Sequence, residues 1–182
     1  MKRLLVLLCL VPVLGGCSGK NPVKVAPPVP PPPVGSPQNV LNNLIKSYSY
    51  RDSAQYMACF DTAYVGQSYD GFDVPGIQPA TYTFADEAAH ISKLTRSATI
   101  PHVTLDLPNY QGAPMDTLAG DPAGWVTINI HNPRVEIDEF SGSIGIVTGE
   151  TFEFKLAPTT VSSSVSPTGK LWRIARWTEI SP

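Results

Sequence analysis

The chain has 182 residues, of which 42% are apolar and 15% charged, enough for one packed domain, too few for two of ordinary size, and too apolar for a disordered chain. Its 13 basic and 15 acidic residues leave a formal charge of −2. There is no basic block able to neutralise phosphates, which disfavours both nucleic-acid binding and a polybasic membrane patch.

Met1-Lys2-Arg3 is a short positive segment, and Leu4 to Leu14 is an apolar run broken by Pro12 and too short to span a bilayer. It ends in Leu14-Gly15-Gly16-Cys17, a branched apolar residue, two small ones and a cysteine, which matches the bacterial lipobox. That match implies removal of residues 1–16 and a thioether-linked diacylglycerol on Cys17, usually joined by an N-acyl chain. Several acyl chains anchor a protein far more firmly than one. The expected location is the extracytoplasmic face of the cell envelope, with the membrane as a partner through Cys17. Ser18 stands where an aspartate would retain an enterobacterial-type lipoprotein in the inner membrane. In a cell with two membranes the outer one is therefore expected.

Loss of Lys2 and Arg3 leaves 11 of the 13 basic residues against 15 acidic ones, a charge of −4. Cys9 departs with the signal and Cys17 carries lipid, so Cys59 has no partner for an intramolecular disulfide. It reads as a small buried hydrophobe. Eight of the 19 prolines fall between Pro22 and Pro37, and residues 17–37 read as a lipidated proline-rich linker. If extended as polyproline II, it would hold the domain up to about 60 Å from the lipid.

The globular domain is expected over residues 38–182. Ser36-Pro37 is an N-cap followed by proline at the first helical position, and Val40, Leu41, Leu44, Ile45 and Tyr48 then form one stripe. A helix over about 37–49 follows, with Asn43 and Ser47 on the opposite, polar side. After a break at Tyr50-Arg51, Asp52 to Gln55 has capping-box spacing. This predicts a short helix over 53–60, turning Tyr56, Met57 and Phe60 inward. Residues 61–80 read as loop with at most a short strand. Thr83 to Asp86 restarts a helix that runs to about Arg96. Alternation then predicts strands over 102–107, 125–131, around Val135 and Ile137, 144–146, 151–156 and 170–180, with a loop over 108–123 and a turn or bulge at Asn132-Pro133. Strict alternation in the last strand puts Trp172 and Ile174 on one face and Trp177 on the other. Helices first and antiparallel strands afterwards is an α+β pattern.

Three parts carry a resemblance: PQNVLNNLIKSYSYRDSAQYMACF with its helix, break and second helix; TFADEAAHISKLTR where a third helix belongs; and the strands GETFEFKL and GKLWRIARW. Together they resemble the nuclear transport factor 2-like superfamily, the cystatin-like α+β cone, and in particular its small lipid-anchored bacterial members. The resemblance spans about residues 37–180. It implies N-terminal helices packed on a strongly curved, mostly antiparallel sheet that encloses a conical cavity. Some proteins of this fold are isomerases, dehydratases, cyclases or hydrolases, and others only bind, so the fold does not choose a function.

A cone enzyme needs an Asp or His base in the cavity beside a second polar group. The candidates are Tyr56, Asp61, Tyr64, His102, Asp106 and His131, and the expected cavity lining is Tyr56, Met57, Phe60, Asp61, Tyr64, His102 and Thr104. His102 and Asp106 share a strand face but stand roughly 13 Å apart along it, too far for a dyad. Loop carboxylates Asp61, Asp70 or Asp73 remain as other routes to a base. Glu87 and His90 read as an exposed helical pair. The histidines lack metal-ligand spacing, and there is no phosphate loop, nucleophile elbow or CxxC motif. No catalytic residue, metal or cofactor is therefore assigned. The expected role is non-catalytic binding of an apolar small molecule or an envelope protein, with a homodimer paired through the sheet as a further arrangement. The alternative is a cone-cavity acid–base enzyme.

Overall fold

Ser36 caps the first helix, α1 (Pro37–Ser49), its side chain accepting from the Asn39 backbone N–H at 3.2 Å. The structure, a computed structural model, describes residues 34–68, 79–139, 142–146, 151–160 and 170–180. The signal segment, the lipidation site Cys17, most of the linker, Asp70 and Asp73 lie outside the described residues. Among the described residues no helix is long and apolar enough to cross a membrane.

Helix α2 (Ser53–Ala58) is capped by Asp52, whose carboxylate accepts from Gln55 N at 3.0 Å. Strands β1 (Phe60–Ser68) and β2 (Ala80–Thr83) follow, then α3 (Phe84–Arg96), whose Thr83 and Asp86 form a reciprocal capping box. The rest is strand: β3 (His102–Asp106), β4 (Val126–His131), β5 (Arg134–Glu139), β6 (Gly142–Ile146), β7 (Thr151–Thr160) and β8 (Lys170–Ile180).

The described strands form two sheets, one of five strands in the order β2-β1-β8-β7-β4 and one of three in the order β3-β5-β6. All described pairings are antiparallel except that of β1 with β8. Asn132 adopts φ 54°, a left-handed conformation that asparagine tolerates, and Pro133 follows it. This turn carries the chain from β4 in the larger sheet to β5 in the smaller one.

The inner face of the larger sheet is apolar. Phe152, Phe154 and Leu156 of β7 lie opposite Ile130, Ile128 and Val126 of β4, and Ile174 of β8 lies opposite Leu156. Val40, Leu41 and Leu44 of α1, Ile91 and Leu94 of α3, and Val103 and Leu105 of β3 complete the buried cluster. Helix α1 contacts β3, α2 and β8, so it is enclosed on more than one side. That is why Asn43 and Ser47, expected on its polar face, are buried, with Ser47 Oγ donating to Asn43 O at 2.7 Å.

Three expectations change. Phe60 begins a strand rather than ending a helix, and residues 60–68 form the nine-residue β1 where loop with at most a short strand was expected. The Asp61 carboxylate accepts from Ala63 N at 2.8 Å, and the register shifts between Phe60 and Val65, so the alternation that would announce a strand is broken.

The third change concerns the last strand. Leu156 pairs with Ile174 but Lys155 pairs with Arg176, so Ala175 is an extra residue on β8. This bulge inverts the side-chain parity beyond it. Trp177 therefore faces the same side as Ile174, with its ring 5.2 Å from Phe152 and 5.0 Å from Phe154. It packs into the core and is not available to cover a sheet-to-sheet dimer interface.

Residues 107–125 are anchored rather than free. Asp116 and Thr127 exchange backbone hydrogen bonds at 2.7 and 2.9 Å, and Lys155 donates to Asp121 at 2.7 Å. Arg176 lies 5.6 Å from the centre of the Trp125 ring. The face of the sheet away from the helices is thus covered here by polar and aromatic contacts. Before α1, the Val34 carbonyl accepts from Trp172 N at 2.9 Å and the Val34 side chain packs on the core.

Candidate functional site

The residues expected to line a cavity separate into two groups. Tyr56, Phe60 and Tyr64, brought together by α2 and β1, are 1%, 2% and 4% exposed. Their rings form a chain that starts from Tyr48 on α1, with centroid distances of 5.7 Å (Tyr48–Tyr56), 5.0 Å (Tyr56–Phe60) and 4.8 Å (Phe60–Tyr64). Met57 packs against this core half-buried, and Asp61 is held locally by Ala63 N. His102 and Thr104 are elsewhere. They lie on the exposed face of β3, opposite Asp138 and Glu136, while Val103 and Leu105 take the inward positions. They share no site with the tyrosines.

Two carboxylates join the aromatic chain. The Tyr56 hydroxyl donates to Glu87 Oε1 at 2.8 Å, so half-buried Glu87 bonds to the core and does not form an exposed pair with His90. His90 instead stacks on Tyr48, with centroids 6.4 Å apart and rings 9° from parallel. Glu179 of β8 pairs in register with buried Phe152 and accepts from Ser68 Oγ. Both carboxylates reach the tyrosines electrostatically. Burial pushes the Tyr48 phenol up to about 12, with Glu87 and Glu179 adding to the shift. Burial raises Tyr64 further, again with help from Glu87 and Glu179. Tyr56 lies well above the ordinary phenol range, through burial first and then Glu87. Raised in this way, the three phenols stay protonated at physiological pH, and Tyr56 acts as a donor to Glu87.

The site is tightly fitted. Tyr64 lies over Gly66, where an added Cβ would collide with the Tyr64 Oη, so glycine is needed here for close approach. Among the described residues, one buried donor, Trp177 Nε1, has no hydrogen-bond partner. Such a group costs about 1–3 kcal/mol relative to a satisfied one. Burial also pushes the Cys59 thiol up to about 12, against a smaller opposing pull from Arg173, and its Sγ donates to Gln55 O at 3.5 Å. That thiol is inert at neutral pH. Among the described residues no group of three or more His, Cys, Asp or Glu side chains could hold a metal.

The raised phenols link stability to pH. The folded chain retains protons that the unfolded chain releases near pH 10, so the unfolded state binds fewer protons above that pH. Their stabilising contribution is complete below about pH 10 and is lost as pH rises towards 12 and beyond. In an alkaline titration followed by phenolate absorbance and circular dichroism, these three tyrosines should ionise together with loss of native signal. Their ionisation well below that transition would contradict the burial described here.

No protein-family model and no curated protein matches the sequence. Solved structures match over most of the chain. A nuclear transport factor 2-like superfamily protein from Salmonella enterica aligns at 14% identity over 80% of this chain and 87% of its own, with a TM-score of 0.51. A candidate aromatic ring hydroxylase from Novosphingobium aromaticivorans aligns at 13% identity over 79% and 85%, with a TM-score of 0.53. The beta subunit of a candidate aromatic-ring-hydroxylating dioxygenase from the same organism aligns at 12% identity over 78% and 84%, with a TM-score of 0.51. At such identities the likeness shows the fold alone. The chain has the nuclear transport factor 2-like, cystatin-like α+β fold.

Proposed function

We propose that this chain is a lipoprotein of the bacterial cell envelope, anchored through a lipid on Cys17, whose cone-fold domain binds and does not turn over a substrate. In a two-membrane cell its place is the outer membrane. The anchor is supported by the Leu14-to-Cys17 motif behind an apolar run, and by the proline-rich linker that follows it. One observation carries the binding reading: the described cone interior is filled. Tyr56, Phe60 and Tyr64 are buried and packed ring to ring, Phe152 and Phe154 are buried and packed against Trp177 as a second set, and Tyr56 and Glu87 form a closed donor–acceptor pair. A general base must reach the proton that it removes, and here one Glu87 oxygen is already engaged. A filled cone fits recognition of an envelope protein at the surface. If the cone opens, the Trp177 N–H, which has no partner among the described residues, suits a small apolar ligand with a single acceptor.

A second reading rests on the same 2.8 Å bond. Glu87 as base and the neutral Tyr56 phenol as donor make an acid–base pair, if the cone opens. Assays of the mature protein with isomerase, dehydratase and hydrolase substrates separate the two. The binding reading expects no turnover above the uncatalysed rate, and native mass spectrometry then reports any retained ligand. Turnover that disappears in Glu87→Gln or Tyr56→Phe, with the melting transition unchanged, would replace it with the enzyme reading.

A further inference from the structure

A groove of about 770 Å³ lies away from the aromatic cluster, between segment Asp106–Pro114 and the outward side chains Asn129 and His131 of β4. The segment is fixed from behind: the Tyr110 hydroxyl donates to Asn42 Oδ1 of α1 at 3.1 Å and accepts from Gln111 Nε2 at 3.2 Å. His131 Nδ1 is 3.0 Å from Thr151 Oγ1, which orients the imidazole and leaves Nε2 for another contact. Asn129 is half-buried, and its side-chain amide has no hydrogen-bond partner among the described residues. The lining thus offers three amides (Asn109, Gln111, Asn129), one carboxylate (Asp106), one imidazole and one phenol ring, with no Lys or Arg.

That chemistry selects a ligand class. Phosphate, sulfate or carboxylate ligands need cations or converging N–H groups, and the side chains here offer no cation, while Asp106 repels them. A wholly apolar ligand would strand the amides without partners. Adjacent hydroxyls of a sugar ring each donate and accept, which matches the paired donor and acceptor of an amide, and the apolar face of the ring suits contact with Tyr110. We propose that this groove binds a neutral glycan chain, with Asn129 as its central hydrogen-bonding residue. This goes beyond the anchored binding domain proposed above and holds whether or not the cone is catalytic.

The test is saturation-transfer NMR on the mature, full-length protein in a detergent without a sugar headgroup. The probes are the tetrasaccharides of N-acetylglucosamine and of maltose-type glucose. Saturable transfer to at least one is expected, with Kd of about 0.1–1 mM. Transfer to the first alone would identify an amino-sugar polymer, and to the second alone a glucan; either supports the proposal. Asn129→Ala should weaken binding about tenfold, and His131→Ala by a smaller factor, both with unchanged melting. Asn129→Asp, which keeps the acceptor and loses the donor, should fall between wild type and alanine. Lys93→Ala, at an exposed position of α3, should leave binding as it is. No transfer from either sugar at about 10 mM, well above the expected Kd, would overturn the proposal. So would binding that survives both groove substitutions or disappears in Lys93→Ala.

Discussion

Phe154→Ala is expected to cost about 3–5 kcal/mol, a large part of the roughly 5–15 kcal/mol that holds a typical domain folded. Phe154 is fully buried at the centre of the larger sheet, in register with Ile128 on one side and Trp177 on the other. Its ring lies 6.2 Å from Phe152 and 5.0 Å from Trp177, so truncation opens a cavity and removes two ring contacts together. Trp172, on the same face of β8 as Ile174, is half-buried beside Pro158 and close to the start of its strand. Trp172→Ala should therefore cost less, about 1–3 kcal/mol. Urea melts of the two variants beside the parent domain check the order. A larger loss at Trp172 than at Phe154 would contradict the register of β7 against β8.

The second large effect comes from a surface-like residue. Arg51 occupies the break between α1 and α2 at φ 56°, and its guanidinium reaches back to the end of α3. There Nη2 donates to the carbonyls of Leu94, Thr95 and Ser97 at 2.8, 2.7 and 2.7 Å, and Nη1 donates to Ile100 O. The last carbonyls of a helix have no partners within it and carry the negative end of its dipole, so a cation here both satisfies and neutralises them. Hydrogen bonds to a charged group contribute about 1.5–3 kcal/mol each when deleted singly, and those in one network are not additive. Arg51→Ala is expected to cost about 2–4 kcal/mol in the same melts. Arg51→Lys should recover only part, because an ammonium cannot present the planar fork that spans these carbonyls. Full recovery by lysine would reduce Arg51 to a simple charge effect.

What could be read from the sequence was local. Each helix announces itself within four residues, through Ser36-Pro37, Asp52 with Gln55, and Thr83 with Asp86; all three N-caps form, the box being reciprocal at Thr83–Asp86, while at α2 the Asp52 N–H donates to Ser47 O instead. The clean alternation of β3 also survives, while in β4 the outward Thr127 is buried under the Asp116 segment. What misled were single-residue irregularities. The Asp61–Ala63 turn hid β1, and Ala175 reversed Trp177 and every residue beyond it. The aromatic half of the candidate site was legible because Tyr56, Phe60 and Tyr64 are close in sequence. Its acidic half was not. Glu179 sits beyond the bulge, so alternation counted forward from Trp172 gives it the wrong face. Glu87 carries one usable signal, its position four and seven residues before Ile91 and Leu94 on the buried face of α3. The groove at Asn129 depends on a loop and a strand brought together by tertiary pairing, which local pattern cannot report.

The anchored-domain reading stands or falls on the amino terminus. Intact-mass analysis of the native protein, extracted from membranes with detergent, tests it most directly. The mass predicted is that of a chain beginning at Cys17 and carrying a diacylglycerol, with or without a further acyl chain. Only buried Cys59 should then react with a thiol reagent, and only after denaturation. An unmodified mature chain recovered from the soluble fraction, with a second free thiol at Cys17, would contradict the account.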